Sequence, residues 1–93
     1  MKTRRNQFNI PQYEQGDSRR LLVLLASIDL LGRPSQAALA DLSGYAREDI
    51  DAAVARLREE FAVNLHKVGE VYHIEAWGQL LQPEGVRQLL APD

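Results

Sequence analysis

The chain has 93 residues, of which 45% are hydrophobic and 26% charged, and its formal net charge is −2. This length and composition are those of one globular domain with a small core. The absence of cysteine excludes disulfides and a thiolate zinc site and favours a cytoplasmic location. No apolar run approaches the ~20 residues that cross a bilayer, so we expect no membrane span. No apolar segment follows the basic residues at the start, so we expect no signal peptide.

The charges are unevenly distributed along the chain. Residues 1–20 carry five basic and two acidic side chains, whereas residues 21–93 carry six basic and eleven acidic ones. Residues 1–16 are polar and without periodicity, so we predict a flexible basic N-terminal arm there and a folded domain over residues 17–93, with the alternative that Phe8, Ile10 and Tyr13 fold back onto the domain. A basic arm on an acidic body is a pattern found in proteins that approach phosphates.

Three helices are predicted at the start of the domain. The first begins at Asp17 or Ser18 and runs to about residue 31, because its apolar residues recur every three or four positions. Ser35 caps a second helix over about residues 36–42. A turn around Gly44 leads to a third helix over about residues 46–60. Two helices joined by a short turn that contains glycine are the helix-turn-helix signature.

The period of the apolar pattern then changes to two. Residues 63–68 and 71–76 alternate and flank Gly69 and Glu70, which predicts a hairpin with a two-residue turn. The register pairs Leu65 with Ile74 and places residues 63 and 64 opposite 76 and 75. Pro83 marks the start of a short last helix. The predicted fold is mostly α with a β-hairpin (α+β). It is a winged helix-turn-helix with a three-helix core, a two-stranded wing and a short C-terminal helix.

From residue 18 to about residue 90 the chain resembles the N-terminal DNA-binding domain of the biotin protein ligase/repressor family. The resemblance rests on residues 39–50 (LADLSGYAREDI), 57–60 (LREE), 63–65 and 69–74, and on residues 79–81 before the last helix. It implies a DNA-binding transcription regulator. The ligase portion has no counterpart here, so biotin or ATP binding is not expected. Ala46 stands where such domains usually have a capping Ser or Thr, and Val71 stands where they have a glycine.

The third helix is the predicted reader of double-stranded DNA. Arg47, in its first turn, is the candidate for a bidentate contact with guanine, and Tyr45 for a contact with a thymine methyl or a phosphate. Acidic residues in the same turn compensate the helix dipole, but in a groove they would face phosphates. Three further candidates for contact with DNA lie on the two helices of the helix-turn-helix: Gln36, Asp51 and Arg56.

Basic residues outside the third helix complete the predicted interface. Lys2, Arg4 and Arg5 are expected to enter a minor groove, as homeodomain arms do, and the alternative is a solubilising terminus. Arg19 and Arg20 open the first helix, where the dipole gives a cation no advantage, so we predict that they contact phosphates. Lys67, near the hairpin tip, is the candidate for a contact from the wing to the DNA backbone.

No catalytic residue, metal site or cofactor is predicted, and we expect the chain not to be an enzyme. His66 and His73 face each other in the predicted hairpin with Glu75 nearby, but exposed polar residues of a wing are the simpler interpretation of this set. The serines lie where caps and turns need hydroxyl groups. There is no glycine-rich phosphate loop, and we expect no small-molecule site.

The expected partners are double-stranded DNA and a second copy of the chain. Leu22, Val23 and Leu30 lie off the core face of the first helix, so we predict a homodimer through that helix and the arm, which would double the contacts on a palindromic site. The alternative is a winged helix that binds proteins, with the acidic third helix docking on a basic partner and no DNA binding.

Overall fold

The computed structural model describes residues 4–91. In chain order its elements are α1 (Ser18–Leu31), α2 (Gln36–Ser43), α3 (Arg47–Phe61), β1 (Asn64–Val68), β2 (Val71–Ala76) and α4 (Pro83–Gln88). Three helices, a two-stranded antiparallel hairpin and a short C-terminal helix therefore follow one another as predicted. In residues 4–91 we find no helix with the length and apolarity that a bilayer crossing requires.

Capping residues set the helix bounds. The Asp17 carboxylate accepts a hydrogen bond from the Arg19 N–H (3.0 Å) at the start of α1. The Ser35 hydroxyl accepts one from the Ala38 N–H (3.1 Å) at the start of α2. Before α3 the capping position holds Ala46, which makes no side-chain cap, and this helix begins and ends one residue later than predicted.

The core lies between the three long helices and the inner face of the hairpin. α1 contributes Leu21, Leu24, Leu25 and Ile28, and α3 contributes Ile50, Val54 and Leu57 at the same three- and four-residue spacing. Leu39 of α2, Leu65 of β1 and Tyr72 of β2 close the cluster, and all three are fully buried. Apolar periodicity therefore identified the correct inward faces.

The hairpin confirms the predicted register from residue 65 to residue 74, and the prediction is wrong beyond it. Leu65 pairs with Ile74 and His66 with His73, but Asn64 pairs with Ala76, across an irregularity between Asn64 and Leu65. Glu75 is thus the extra residue of a bulge, not the partner of Asn64, and Val63 precedes the strand. The bulge leaves Glu75 exposed, where its carboxylate accepts from the Asn64 amide (3.3 Å) and contacts His66.

The segment that leads into α2 also joins the sheet. The Tyr72 N–H donates to the Pro34 carbonyl (2.9 Å), and Ser35 forms an isolated antiparallel bridge with Val71. The free edge of β2 is therefore paired next to the start of α2. This contact fixes the position of the hairpin relative to α2.

Residues 4–16 differ from the flexible arm that the sequence predicted, because they pack on the end of α2. Ile10 and Pro11 are buried. The Asn6 amide donates to the Leu42 carbonyl (2.9 Å) and the Gln12 amide donates to the Ser43 carbonyl (3.2 Å). Both bonds satisfy carbonyls that the end of a helix leaves unpaired. Met1, Lys2 and Thr3 lie outside the described residues.

Gly44 serves both the turn after α2 and this N-terminal loop. It ends α2 in the left-handed conformation (φ 84°), and its N–H donates to the Ala40 carbonyl (3.0 Å). A Cβ at this position would collide with the Gln12 side chain. The left-handed conformation therefore favours glycine at the turn, and a side chain here would also displace the Gln12 amide.

Two leucines test the position of the core. Leu24 of α1 is fully buried, whereas Leu80, between β2 and α4, is 65% exposed. Leu24→Ala should lower the free energy of unfolding by about 2–5 kcal/mol, because it removes packed methyl groups and leaves a cavity. Leu80→Ala is the matched control and should change it by no more than about 0.5 kcal/mol. Urea denaturation followed by circular dichroism measures both, and equal losses would contradict the assignment.

Candidate functional site

The exposed side of α3 is acidic at its centre and basic at its edges. Opposite the buried residues, helical spacing places Glu48, Ala52, Ala55 and Glu59. The edge next to the hairpin carries Arg47, Asp51 and Arg58, and the edge next to α1 carries Asp49, Arg56 and Glu60. The arginines of α3 thus flank the outward strip and do not occupy its centre.

Tyr72 brings three of the predicted site residues together at the hairpin edge of α3. Its hydroxyl donates to the Asp51 carboxylate (2.5 Å), and the Lys67 ammonium lies 5.5 Å from the centre of its ring. Burial, and then the hydrogen bond and charge of Asp51, raise the pKa of Tyr72 to about 12, while a hydrogen bond with Gln36 acts in the opposite direction. We call Gln36, Asp51, Lys67 and Tyr72 the hairpin-root cluster.

The alternation of the hairpin residues did not identify the role of Tyr72 in this cluster. The available signal was a tyrosine on the inward face of a short strand, because a buried phenol needs a hydrogen-bond partner at the edge of the core. Alternation alone does not identify that partner. It becomes visible only when Asp51 of α3 is placed beside β2.

Tyr45 brings together Arg20 and Arg56 at the other edge of α3. The Arg20 guanidinium carbon lies 3.9 Å from the centre of the Tyr45 ring. Burial raises the pKa of Tyr45, and the positive charges of Arg20 and Arg56 act against this increase. These side chains line an open cavity of about 170 Å³ between the start of α1 and α3, which we call the α1–α3 pocket.

Two predicted arginines are engaged by groups of the chain. The Arg19 guanidinium pairs with Asp17 (2.7 Å) and lies 4.3 Å from the centre of the Tyr13 ring. The hydrogen bonds from Arg19 hold the pKa of the Asp17 carboxyl below its usual value. Arg56 pairs with Glu60 (2.6 Å) on the same helix. Both pairs are exposed, so solvent screens them and each contributes little to stability.

Of the predicted arm residues that the structure describes, Arg5 contacts its own loop and the end of the described chain. Arg5 was expected to enter a minor groove, but its guanidinium donates to the Asn9 carbonyl (2.8 Å) and the Ala91 carbonyl (2.6 Å). It thereby holds the N-terminal loop against the end of the described chain. Arg4 is exposed. Lys2 lies outside the described residues.

The histidine pair lies on the outer face of the hairpin. His66 pairs with His73 across the strands, and its Nε2 atom lies 2.9 Å from a carboxylate oxygen of Glu75. Between residues 4 and 91 we find no group of three or more His, Asp or Glu side chains arranged to hold a metal ion.

An apolar groove of about 540 Å³ lies between the N-terminal loop, α1 and the end of the described chain. Its walls include Ala26 and Leu90, and its rim carries Phe8 and Leu30, which are 48% and 62% exposed. Asp29 and Arg87, also in its wall, form an ion pair (2.7 Å). We call this feature the α1–α4 groove.

Comparison of the chain with protein-family models, with curated proteins and with solved structures found no match. We therefore infer the function from the residues and their geometry.

The alkaline titration of tyrosine tests the hairpin-root cluster. With a pKa raised from 10.0 to about 12, Tyr72 holds its proton more tightly in the folded state than in the unfolded chain. The associated stability is therefore complete below about pH 10 and is lost as the pH rises through about 12. Because burial also raises the pKa of Tyr45, a tyrosinate absorbance titration should show a late transition whose amplitude falls in Tyr72→Phe and is retained in Tyr13→Phe.

Asp51→Ala should move this late transition to lower pH without abolishing it, because burial contributes more to the raised pKa than Asp51 does. A late transition of unchanged amplitude in Tyr72→Phe would contradict the assignment.

Proposed function

We propose that this chain is a winged helix-turn-helix domain that binds double-stranded DNA in transcriptional control in the cytoplasm. In this proposal α2 and α3 form the helix-turn-helix, and the hairpin is the wing. The observation that carries the proposal is the hairpin-root cluster. It joins the exposed edge of α3 (Asp51) and the hairpin (Lys67) around Tyr72, whose backbone N–H also donates to the Pro34 carbonyl before α2.

The backbone contacts around the cluster support the same arrangement. The hydrogen bond from Tyr72 to Pro34 and the bridge between Ser35 and Val71 attach the segment before α2 to the hairpin edge. This isolated bridge and hydrogen bond hold the wing against the start of α2. A rigid surface of two helices and a wing can follow a groove and its two flanking backbones.

The charges of this surface favour contacts with the phosphates on both sides of a groove. The centre of α3 presents Glu48 and Glu59, which a phosphate would repel, whereas Arg47 and Arg56 lie at its two edges. Within residues 4–91 Arg47 makes no ion pair, so its guanidinium is available to a base or a phosphate. We therefore assign base contact to Arg47 at the start of α3 and backbone contact to Arg20, Arg56 and Lys67.

Fluorescence anisotropy with a pool of labelled duplexes, at low and at moderate salt, tests DNA binding. Affinity should fall steeply with salt, because each neutralised phosphate releases counterions. Arg47→Met should weaken binding to the best duplex about tenfold, through loss of a bidentate contact. The matched control is Arg33→Met, which removes the same charge from an exposed residue between α1 and α2 and should leave affinity unchanged. Absence of binding to any duplex at low salt would contradict the proposal.

A second candidate function is protein binding through the acidic strip of α3. Glu48, Ala52, Ala55 and Glu59 form a narrow exposed surface with small residues at its centre, which a basic helix or loop fits without steric conflict. This candidate predicts no duplex binding at any salt concentration. In that case the chain should bind an arginine-rich peptide, and Glu48→Gln should weaken that binding.

We also propose that the domain dimerises through α1 and the N-terminal loop. The α1–α4 groove is apolar and carries Phe8 and Leu30 on its rim, so one surface offers both a projecting ring and a cavity, as a two-fold interface requires. Its two charged residues neutralise each other, so a second copy meets no like charge. Val23 is 2% exposed within one chain, so the interface would use Leu30 and not Val23.

Sedimentation at micromolar concentration tests this dimer. Phe8→Asp should convert it to a monomer, because the aspartate would be buried without a partner. Leu80→Asp is the matched control, since Leu80 is 65% exposed and lies outside the groove. A wild-type monomer, or a dimer that survives Phe8→Asp, would contradict the interface.

A further inference from the structure

The α1–α3 pocket has the geometry of a site for a small anion. Its walls come from three parts of the chain: Gly16 and Asp17 before α1, Arg20 within α1, and Tyr45 with α3. Two guanidinium groups therefore approach one cavity from different helices. The pKa of Tyr45 responds to both, which places Arg20 and Arg56 near the same phenol.

The arginines of the pocket differ in how far they are already paired. Arg20 is half-buried, its guanidinium carbon lies 3.9 Å from the centre of the Tyr45 ring, and it has no carboxylate partner among residues 4–91. Arg56 pairs with Glu60, in an exposed contact that a stronger anion can displace. A guanidinium stacked on an aromatic ring keeps its N–H edge free and correctly oriented, which reduces the entropy lost on binding.

The acids of the pocket define its limits. Asp17 is occupied by Arg19, with both side-chain and backbone hydrogen bonds. Asp49 also lines the cavity and makes no ion pair within residues 4–91. It therefore opposes an anion and keeps the affinity low. Removing the charge of Asp49 should strengthen anion binding, whereas removing an arginine should weaken it.

The volume of the cavity admits a phosphate group. The cavity is open to solvent and measures about 170 Å³, several times the ~30 Å³ that one water molecule takes up. Guanidinium groups bind phosphate oxygens in pairs of parallel hydrogen bonds, with more directional specificity than an ammonium provides.

We propose that Arg20, Arg56 and the Tyr45 hydroxyl bind one phosphate group in the α1–α3 pocket, and that its source is the DNA backbone beside the groove that α3 occupies. The second part rests on the proposed function. The first does not, because a phosphorylated small molecule presents the same group. The pocket would fix the position of α3 on the duplex from the side opposite the wing.

An NMR titration with inorganic phosphate tests the pocket without DNA. At constant ionic strength, phosphate should shift the Gly16 amide and the Arg20 and Arg56 side-chain signals, and chloride should not. Arg20→Met and Arg56→Met should each weaken phosphate binding about tenfold. Arg20→Lys should do so nearly as much, because it lacks the planar fork. Arg58→Met, on the other edge of α3, is the control and should have no effect.

Asp49→Asn should tighten phosphate binding several-fold. This variant separates a specific site from a general loss of folding, since a damaged protein does not gain affinity. The proposal of a phosphate site is overturned if phosphate shifts no signal in the pocket, or if Arg58→Met weakens binding as much as Arg20→Met.

Duplex titrations then identify the source of the phosphate. If it is the DNA backbone, Arg20→Met should reduce the slope of log affinity against log salt by about 0.9, the value for one phosphate contact. An unchanged slope, with phosphate binding intact, would overturn the DNA part and assign the pocket to a phosphorylated small molecule. If no duplex binds while inorganic phosphate still does, the proposed function is rejected and the phosphate site in the α1–α3 pocket remains supported.

Discussion

The arrangement of this domain depends on the burial of Tyr72. Its ring is fully buried at the point where the hairpin meets the helices, and a phenol in that position needs a partner for its hydroxyl. Asp51 of α3 provides that partner, and the backbone N–H of the same tyrosine donates to Pro34 before α2. One residue of β2 therefore fixes the hairpin relative to both helices that precede it.

This constraint explains why an acidic residue lies on a surface that we propose to face DNA. Asp51 was a candidate for base contact from its position alone, but its carboxylate already accepts from Tyr72. Its charge is partly compensated by that hydrogen bond, and Lys67 lies on the same ring. The remaining acids, Glu48 and Glu59, have no such compensation, so binding at the edges of α3 costs less than binding at its centre.

The sequence predicted the features that depend on local chemistry. Asp17 and Ser35 as caps, Gly44 in the turn, and the alternation from Leu65 to Ile74 each follow from residues close together in the chain. The bulge at Glu75 was not predictable, because it depends on how the end of β2 meets the segment after α3. The sequence allowed residues 4–16 to fold back but did not identify their contacts, for a similar reason: Asn6 and Gln12 find their acceptors at the end of α2, more than thirty residues away.

The candidate site also combines features that local spacing predicts with contacts that it does not. Helical spacing identified which residues of α3 are exposed, so Arg47 and Arg56 were correctly placed on its surface. Spacing could not show that Arg20 stacks on Tyr45, because that contact joins α1 to the turn before α3. It also could not show that Arg5 holds the N-terminal loop through carbonyls at both ends of the described chain. Pairings of this range become visible only in the folded chain.

The central claim is that α2, α3 and the hairpin present one DNA-binding surface. Mapping of amide chemical shifts during titration with unlabelled duplex DNA tests it most directly. The account predicts perturbations at the start of α2 around Gln36, at the start of α3 around Arg47, in the hairpin around Lys67 and at Arg20. It predicts none around Gly85 in α4. Perturbations confined to the α1–α4 groove, or their absence at low salt, would contradict it.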